Sequence, residues 1–200
     1  VRYSGKDTAV LIPEFIKHIS WGAFSYNGMI EHVILPQGLI SIGESAFANC
    51  KRLSFIGIYD PSLRERGSYS KFPDSLTSIG KCAFEWCESL YGTIILPDNI
   101  KVICNKTFEC CFSLSGVFLP KSLEIIESEA FSCCSKLYAL ECPSSLKTIE
   151  EYAFHDCEEL FRVSIPTTIT RVAENAFWGC KNVEGYSGPK KYEHFFLHVV

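Results

Sequence analysis

A spacing of apolar and small residues recurs along the chain, and each copy of it centres on a phenylalanine. A cysteine usually follows that phenylalanine three positions later, and a short apolar run ends near a proline. The anchors are Phe24, Phe47, Phe84, Phe108, Phe131, Phe154 and Phe177. Their spacings are 23, 37, 24, 23, 23 and 23 residues. A fixed period in this range predicts a solenoid, in which each coil buries its apolar side against its neighbours.

A single copy shows which elements the pattern predicts. Val117 and Leu119 alternate with an outward residue, which is typical of a short strand, and Pro120 ends the strand because proline cannot donate to a ladder. Leu123 and Ile126 are spaced for a tight turn or a second short strand. The Ala-Phe-x-x-Cys segment predicts one turn of helix or 3₁₀ helix. No segment carries the helical periodicity that a long helix requires.

This repeat resembles the BspA-like class of leucine-rich repeats, whose unit is roughly L-x-x-I-x-I-P-x-x-L-x-x-I-G-x-x-A-F-x-x-C-x-x. The similarity covers about residues 10–189. It implies an α/β-type repeat solenoid, with a right-handed coil, a parallel concave β-sheet and short helical or 3₁₀ turns. Residues 1–200 are then one domain of about seven to eight coils. The chain departs from the pattern at Asn27, which replaces the first cysteine, and between Phe47 and Phe84, where 37 residues exceed the usual 23 by 14.

The chain contains eleven cysteines, an odd number that argues against a complete disulfide framework. Six occupy the repeat position: Cys50, Cys87, Cys111, Cys134, Cys157 and Cys180. The other five are Cys82, Cys104, Cys110, Cys133 and Cys142. Cysteine is often buried and its thiol is a weak donor, so we predict a ladder of buried, reduced thiols. Disulfides between coils are the alternative, because a spacing of roughly 4.8 Å between coils allows them. Cys110 and Cys133 share a repeat position and are the pair to examine. The doublets lack zinc-ligand spacing, so no metal site is predicted.

Charge and motif content narrow the possible functions. The net charge of −4 argues against a nucleic-acid partner, and no apolar run is long enough to span a membrane. The chain begins at Val1 without a visible signal peptide, and we expect it to be a fragment, so that this absence is uninformative. Nucleotide-binding and hydrolase motifs are missing. His194 and His198 lack the glutamate of the zinc-protease signature. We therefore expect neither an enzyme nor a cofactor.

Outward positions of the predicted concave strands are unusually rich in aromatic residues. The candidate ligand-binding residues are Phe55, Tyr91, Phe118, Tyr138, Phe161 and Arg162. Exposed aromatic residues and arginine are typical of binding surfaces. Packing between neighbouring strands is an equal alternative, because aromatic side chains also stabilise adjacent rungs of a sheet.

Two segments depart from the repeat. The 14-residue insertion lies near residues 59–72 and carries Arg64, Arg66 and Lys71. Insertions in solenoids often lie at the binding face, but a tolerated surface loop is the alternative. The C-terminal segment, about residues 186–200, is expected to cap the last coil.

The resemblance implies a surface or secreted protein of a host-associated microbe, in some cases with a role in adhesion to host matrix proteins. We therefore expect a non-enzymatic module that binds a protein or glycan through its concave face. One alternative is a structural spacer or stalk in a larger surface protein. Another is a repeat domain attached to an enzyme that lies outside this chain. The ligand itself cannot be named from the sequence.

Overall fold

Two columns of short parallel strands run along the molecule, which coils into a β-solenoid with one coil for each anchor phenylalanine. The computed structural model describes residues 3, 5–59 and 69–196. The column of three- to five-residue strands, which we call the long-strand face, contains β1 (Ala9–Leu11), β3 (His32–Ile34), β5 (Phe55–Gly57), β6 (Tyr69–Lys71), β8 (Gly92–Ile95), β10 (Leu114–Phe118), β12 (Ala139–Glu141), β14 (Arg162–Ser164) and β16 (Gly185–Ser187). The column of two-residue strands, the short-strand face, contains β2 (His18–Ile19), β4 (Ser41–Ile42), β7 (Ser78–Ile79), β9 (Val102–Ile103), β11 (Ile125–Ile126), β13 (Thr148–Ile149) and β15 (Arg171–Val172).

The strand pairing confirms the predicted period-two pattern and the parallel sheet. The long-strand face forms the ladders β1-β3-β5, β6-β8-β10 and β12-β14-β16, and the short-strand face forms β2-β4-β7 and β9-β11-β13-β15. In β12, Leu140 is fully buried while Ala139 and Glu141 point away from the core. The same alternation in neighbouring strands builds one continuous apolar core between the two faces.

The segments around the anchor phenylalanines differ from the prediction. Among the described residues the only helix is a 3₁₀ helix at Lys190–Phe195, so the α/β class and the helical turns were wrong. Along each anchor segment, successive backbone N–H groups point in turn to the next coil and to their own coil. The Phe47 N–H donates to the Ala83 carbonyl of the next coil at 2.8 Å, and the Ala48 N–H donates to the Ser45 carbonyl of its own coil at 3.1 Å. A helix needs every N–H to bond along its own axis, so this alternation excludes one.

Left-handed backbone at fixed positions makes the alternation possible. Eleven non-glycine residues of the described chain have φ between 53° and 59°, and each lies two residues before or after an anchor. Ser45 and Asn49 are the examples around Phe47. Each such residue costs about 1 kcal/mol or more, so the hydrogen bonds between coils must outweigh that cost.

The anchor phenylalanines form an unbroken stack through the core. Six neighbouring pairs have ring centroids 4.9–5.4 Å apart and are nearly parallel, within 2–14°. Tyr3 packs against Phe24 at one end, and Phe196 meets Phe177 edge-on at the other. The described part of the C-terminal segment therefore covers the last coil.

The repeat cysteines have one common hydrogen-bonding role. Each thiol donates to the carbonyl of the anchor phenylalanine in the preceding coil, at Sγ–O distances of 3.0–3.3 Å. Burial raises the pKa of the Cys87, Cys111, Cys134 and Cys157 thiols well above the usual value, so they remain protonated donors. In the first coil the Asn27 amide replaces the thiol and donates to the Gly5 carbonyl at 3.4 Å.

The insertion contributes a strand to the long-strand face. Its described part forms β6, which pairs with β8. On the other side of β6, the Ile58 N–H donates to the Lys71 carbonyl at 2.8 Å. A side chain at Gly57 would meet that same carbonyl at 2.6 Å, so glycine is needed where β5 and β6 approach. Residues 60–68, which include Arg64 and Arg66, two of the three basic residues of the insertion, lie outside the described residues.

We predict that Phe131→Ala lowers the free energy of unfolding by about 3–5 kcal/mol, because the substitution leaves a cavity in a fully buried stack. Denaturant unfolding measures this loss. The exposed residue Phe15 is the control, since Phe15→Ala leaves stability within about 0.5 kcal/mol. A loss below about 1 kcal/mol at Phe131 would contradict the stack as the centre of the core.

Thiol titration without reductant checks the cysteine ladder. The structure shows all eleven cysteines as thiols outside any disulfide; seven are buried and four are partly exposed. We expect at most four thiols to react in the folded protein and all eleven after unfolding. A count of nine or fewer in the unfolded protein would show that at least one pair is oxidised.

Candidate functional site

A cleft interrupts the long-strand face between β10 and β12. These neighbouring strands share no ladder, although the Tyr138 N–H still donates to the Ser115 carbonyl at 3.1 Å where the strands begin. Beyond that bond a cavity of about 300 Å³ opens, lined by Thr93, Ser115, Gly116, Val117, Phe118, Leu119, Tyr138, Ala139 and Glu141. The cleft is therefore built from three successive coils.

The chain's longer third repeat lies beside this cleft. The β8–β10 register shifts between Leu114 and Gly116, and Gly92 takes a left-handed φ of 78°. A side chain at Gly116 would meet the Thr93 hydroxyl at 2.6 Å. Glycine at position 116 thus keeps the floor of the cleft open and lets Thr93 face it.

Four of the six predicted ligand-binding residues lie together here. Phe118 and Tyr138 line the cleft and are 56% and 51% exposed. Tyr138 stacks on half-buried Phe161, with ring centroids 5.6 Å apart and an angle of 10°. Arg162 is exposed on β14, and its aliphatic part lies against Gly185 of the next strand. The structure thus shows the packing between neighbouring strands at Tyr138 and Phe161, and it leaves the Tyr138 ring half-exposed; a binding role for these residues stays a prediction.

The other two predicted residues lie further along the face. Phe55 is half-buried in β5, and the inserted strand β6 separates it from β8. Tyr91 is 47% exposed, and its N–H approaches the Ser54 carbonyl at 3.4 Å. The structure therefore divides the predicted stripe into a group at the cleft and a group beside the insertion.

Three polar residues of the cleft, Thr93, Ser115 and Glu141, were not among the predicted site residues. Thr93 offers a hydroxyl at the floor, and Glu141 offers a carboxylate beside Phe118 and Tyr138. The longer third repeat was visible in the sequence, but the interrupted ladder depends on the register of two strands. With aromatic walls, a hydroxyl, a carboxylate and nearby Arg162, the cleft suits an amphipathic ligand.

A larger cavity of about 580 Å³ lies at the first coil and has mainly apolar walls, which include Val10, Ile19 and Phe24. These are core positions of the repeat. In each later coil the equivalent residues are covered by the coil before, as Phe47 is covered by Phe24. The walls of this cavity are therefore mainly stacking positions of the repeat, and not a set of polar groups that would orient a ligand.

The turns around the anchor phenylalanines form one edge of the solenoid, which we call the turn edge. A charged cluster on this edge links adjacent coils. Lys106 Nζ lies 3.2 Å from a Glu109 carboxylate oxygen and 2.9 Å from a Glu129 carboxylate oxygen. Burial raises the pKa of Glu109 to about 7, a hydrogen bond with Glu85 adds to the rise, and Lys106 opposes it. Lys106 thus pairs with Glu109 and Glu129, and Glu109 pairs with Glu85 of a neighbouring coil, which indicates a role in bracing the edge.

Histidine, cysteine and aspartate meet further along the same turn edge. A Cys133 Sγ, a His155 ring nitrogen and an Asp156 carboxylate oxygen all lie within 4.8 Å of one another, and these are the residues of the described chain that could hold a metal ion. Cys110 lies beside Cys133 in the preceding coil; burial, and then the neighbouring Cys133, raises the pKa of the Cys110 thiol to about 12. The sequence prediction missed this group, although Cys133 and Asp156 are one repeat apart.

Comparison with known families agrees with this architecture. The family model described as the BspA type leucine rich repeat region matches the chain in six copies, over residues 4–70 and 67–184. Among curated proteins none matches the chain. No helix in the described part of the chain has the length and apolarity needed to cross a bilayer.

Several solved structures are similar to the chain. A leucine-rich repeat protein from Eubacterium ventriosum is 27% identical with a TM-score of 0.75, over 89% of this chain and 45% of that protein. A leucine rich repeat protein from T. pallidum is 31% identical with a TM-score of 0.68, over 93% of this chain and 72% of that protein. A leucine rich cell surface protein from Faecalibacterium prausnitzii is 20% identical with a TM-score of 0.58, over 93% of this chain and 61% of that protein, and shows the fold alone.

The chain thus spans less than half the length of the Eubacterium protein. The repeated Ala-Phe-x-x-Cys segments, the parallel strand columns and the six family-model copies all agree. The chain belongs to the BspA-type leucine-rich-repeat family.

Proposed function

We propose that the chain is a non-enzymatic recognition module of a surface or secreted protein, and that it binds its ligand at the cleft between β10 and β12. The observation that carries this proposal is the interruption of the long-strand ladder, where Phe118 and Tyr138 are left half-exposed beside an open cavity. An uninterrupted sheet would offer only a continuous surface. This cleft offers depth, aromatic walls and polar groups.

The chemistry of the cleft favours a protein segment over a glycan as its ligand. Leucine-rich-repeat proteins generally bind proteins, and aromatic residues with arginine are the side chains that most often dominate protein interfaces. The Tyr138–Phe161 stack holds two rings rigidly, which reduces the entropy lost on binding. Arg162 and Glu141 flank the rings and supply charges of both signs. A host matrix protein is one candidate partner, in line with an adhesion role.

The surface location rests on membership of the BspA-type leucine-rich-repeat family. A structural spacer within a longer surface protein is the second candidate function. Its support is the incomplete coverage of the Eubacterium relative, whose length exceeds that of this chain about twofold. The two functions differ in whether the cleft has a ligand.

A binding screen followed by paired variants tests the proposal. The chain is screened by surface plasmon resonance against extracellular-matrix proteins and by array against immobilised glycans. For any ligand found, we expect the double substitution Phe118→Ser with Tyr138→Ser to weaken binding at least tenfold, since each interface aromatic typically contributes about 2 kcal/mol.

The matched control replaces two aromatic residues off the long-strand face, Phe15→Ser with Trp21→Ser, which are 78% and 74% exposed. Circular dichroism and thermal unfolding first establish that both double variants are folded. Binding that survives in the cleft variant but is lost in the control contradicts the proposed site. Failure to bind any protein or glycan would favour the spacer.

A further inference from the structure

We propose that Cys133, His155 and Asp156 form a binding site for a divalent transition-metal ion, with zinc as the expected occupant. Their three ligand atoms lie within 4.8 Å of one another on the turn edge of adjacent coils. Thiolate, imidazole and carboxylate are the three ligand types that zinc binds most often in proteins.

The distances are close to those of a tetrahedral site. Zinc–ligand bonds of roughly 2.0–2.3 Å at tetrahedral angles place neighbouring ligand atoms roughly 3.4–3.6 Å apart. His155 Nε2 already lies 3.4 Å from Asp156 Oδ2. The remaining distances between ligand atoms are at most 4.8 Å, so they need to shorten by no more than about 1.4 Å, which a rotation of the Cys133 side chain or the Asp156 carboxylate provides.

The imidazole is held in place by groups that are not ligands. The Ser132 hydroxyl lies 3.4 Å from His155 Nδ1, which directs Nε2 towards Asp156. Tyr152 packs edge-on against the ring at 5.6 Å, and Trp178 packs against it at 5.5 Å. A hydrogen bond at the second ring nitrogen and an apolar surround are the usual support for a metal-binding histidine.

The next coil leaves room for the carboxylate. Gly179 occupies the repeat position that Asp156 and Cys133 occupy in their own coils, two residues after the anchor. A side chain at Gly179 would meet Asp156 Oδ1 at 2.0 Å, so the carboxylate lies where that side chain would be. Glycine here also suits the local φ of 85°. Glycine at position 179 thus leaves the space that the Asp156 carboxylate occupies as a proposed metal ligand.

The site has three protein ligands and an open side. The His155 and Asp156 side chains are 27% and 46% exposed, so a water molecule can complete the tetrahedron. Three protein ligands plus water is the arrangement of an exchangeable zinc site rather than a closed structural site. The preference among metal ions follows from the ligand set: sulfur and nitrogen ligands favour zinc, cobalt, nickel and copper over magnesium and calcium.

Zinc titration of the reduced chain, followed with a competing zinc dye, tests the site. We expect one zinc ion per chain in the wild type, and binding at least tenfold weaker in each of Cys133→Ser, His155→Gln and Asp156→Asn. The matched control is Cys110→Ser. Cys110 has the same repeat position in the neighbouring coil and the same left-handed backbone, with φ of 57° against 59° at Cys133, and the control also prevents a Cys110–Cys133 disulfide.

Cobalt(II) titration gives a second readout that a loss of folding alone does not imitate. A thiolate ligand produces a sulfur-to-cobalt charge-transfer band in the near ultraviolet, and we expect this band in the wild type and in Cys110→Ser but not in Cys133→Ser. Circular dichroism shows whether each variant is folded. Absence of stoichiometric zinc binding in the wild type, or binding that Cys133→Ser and His155→Gln leave unchanged, overturns the proposal. An equal loss in Cys110→Ser overturns the assignment to these three ligands.

Discussion

The stack of phenylalanine rings at about 5 Å sets the conditions for the rest of the fold. A coil of 23 residues cannot bury its own apolar side, so each anchor ring is buried by the rings before and after it. This spacing also brings every repeat cysteine within reach of the preceding phenylalanine carbonyl, for example Cys134 with Phe108 at 3.2 Å. The same spacing matches a parallel strand ladder on each face. The left-handed residues beside the anchors allow hydrogen bonds between coils, and these bonds outweigh the conformational cost of the left-handed backbone.

We expect binding sites at the positions of the coil that the repeat does not fix to a core residue type. The core positions of each coil are occupied by ring, thiol and aliphatic side chains, whereas the outward strand positions and the turn edge vary from coil to coil. On the long-strand face this variation produces the cleft beside Phe118 and Tyr138. On the turn edge it brings Cys133 close to His155 and Asp156. Both proposed sites need residues from successive coils, so neither exists without stacking.

The repeat period predicted the coil, the core and the thiol ladder, because these features recur in every copy. It did not predict the anchor segments, since the same Ala-Phe-x-x-Cys pattern fits a helical turn or alternating turns, and only the neighbouring coil decides between them. The sequence placed Phe118, Tyr138, Phe161 and Arg162 on one face, as found. It did not predict that β6 would separate Phe55 from β8, because a strand of Tyr69–Lys71 has no copy elsewhere in the repeat. The cleft likewise arises from one register shift and one interrupted ladder, and neither is periodic.

A double-mutant cycle between anchors tests directly whether each ring is stabilised by the neighbouring ring. The cycle compares Phe131→Leu with Phe154→Leu, whose rings are stacked at 5.4 Å, and uses Phe84 with Phe154 as a pair separated by two intervening anchors. Leucine keeps the core filled while removing the ring contact. We expect a coupling free energy of about 0.5–1.5 kcal/mol for the stacked pair and additivity within about 0.5 kcal/mol for the distant pair. Equal coupling in both pairs, or none in the stacked pair, would contradict this expectation.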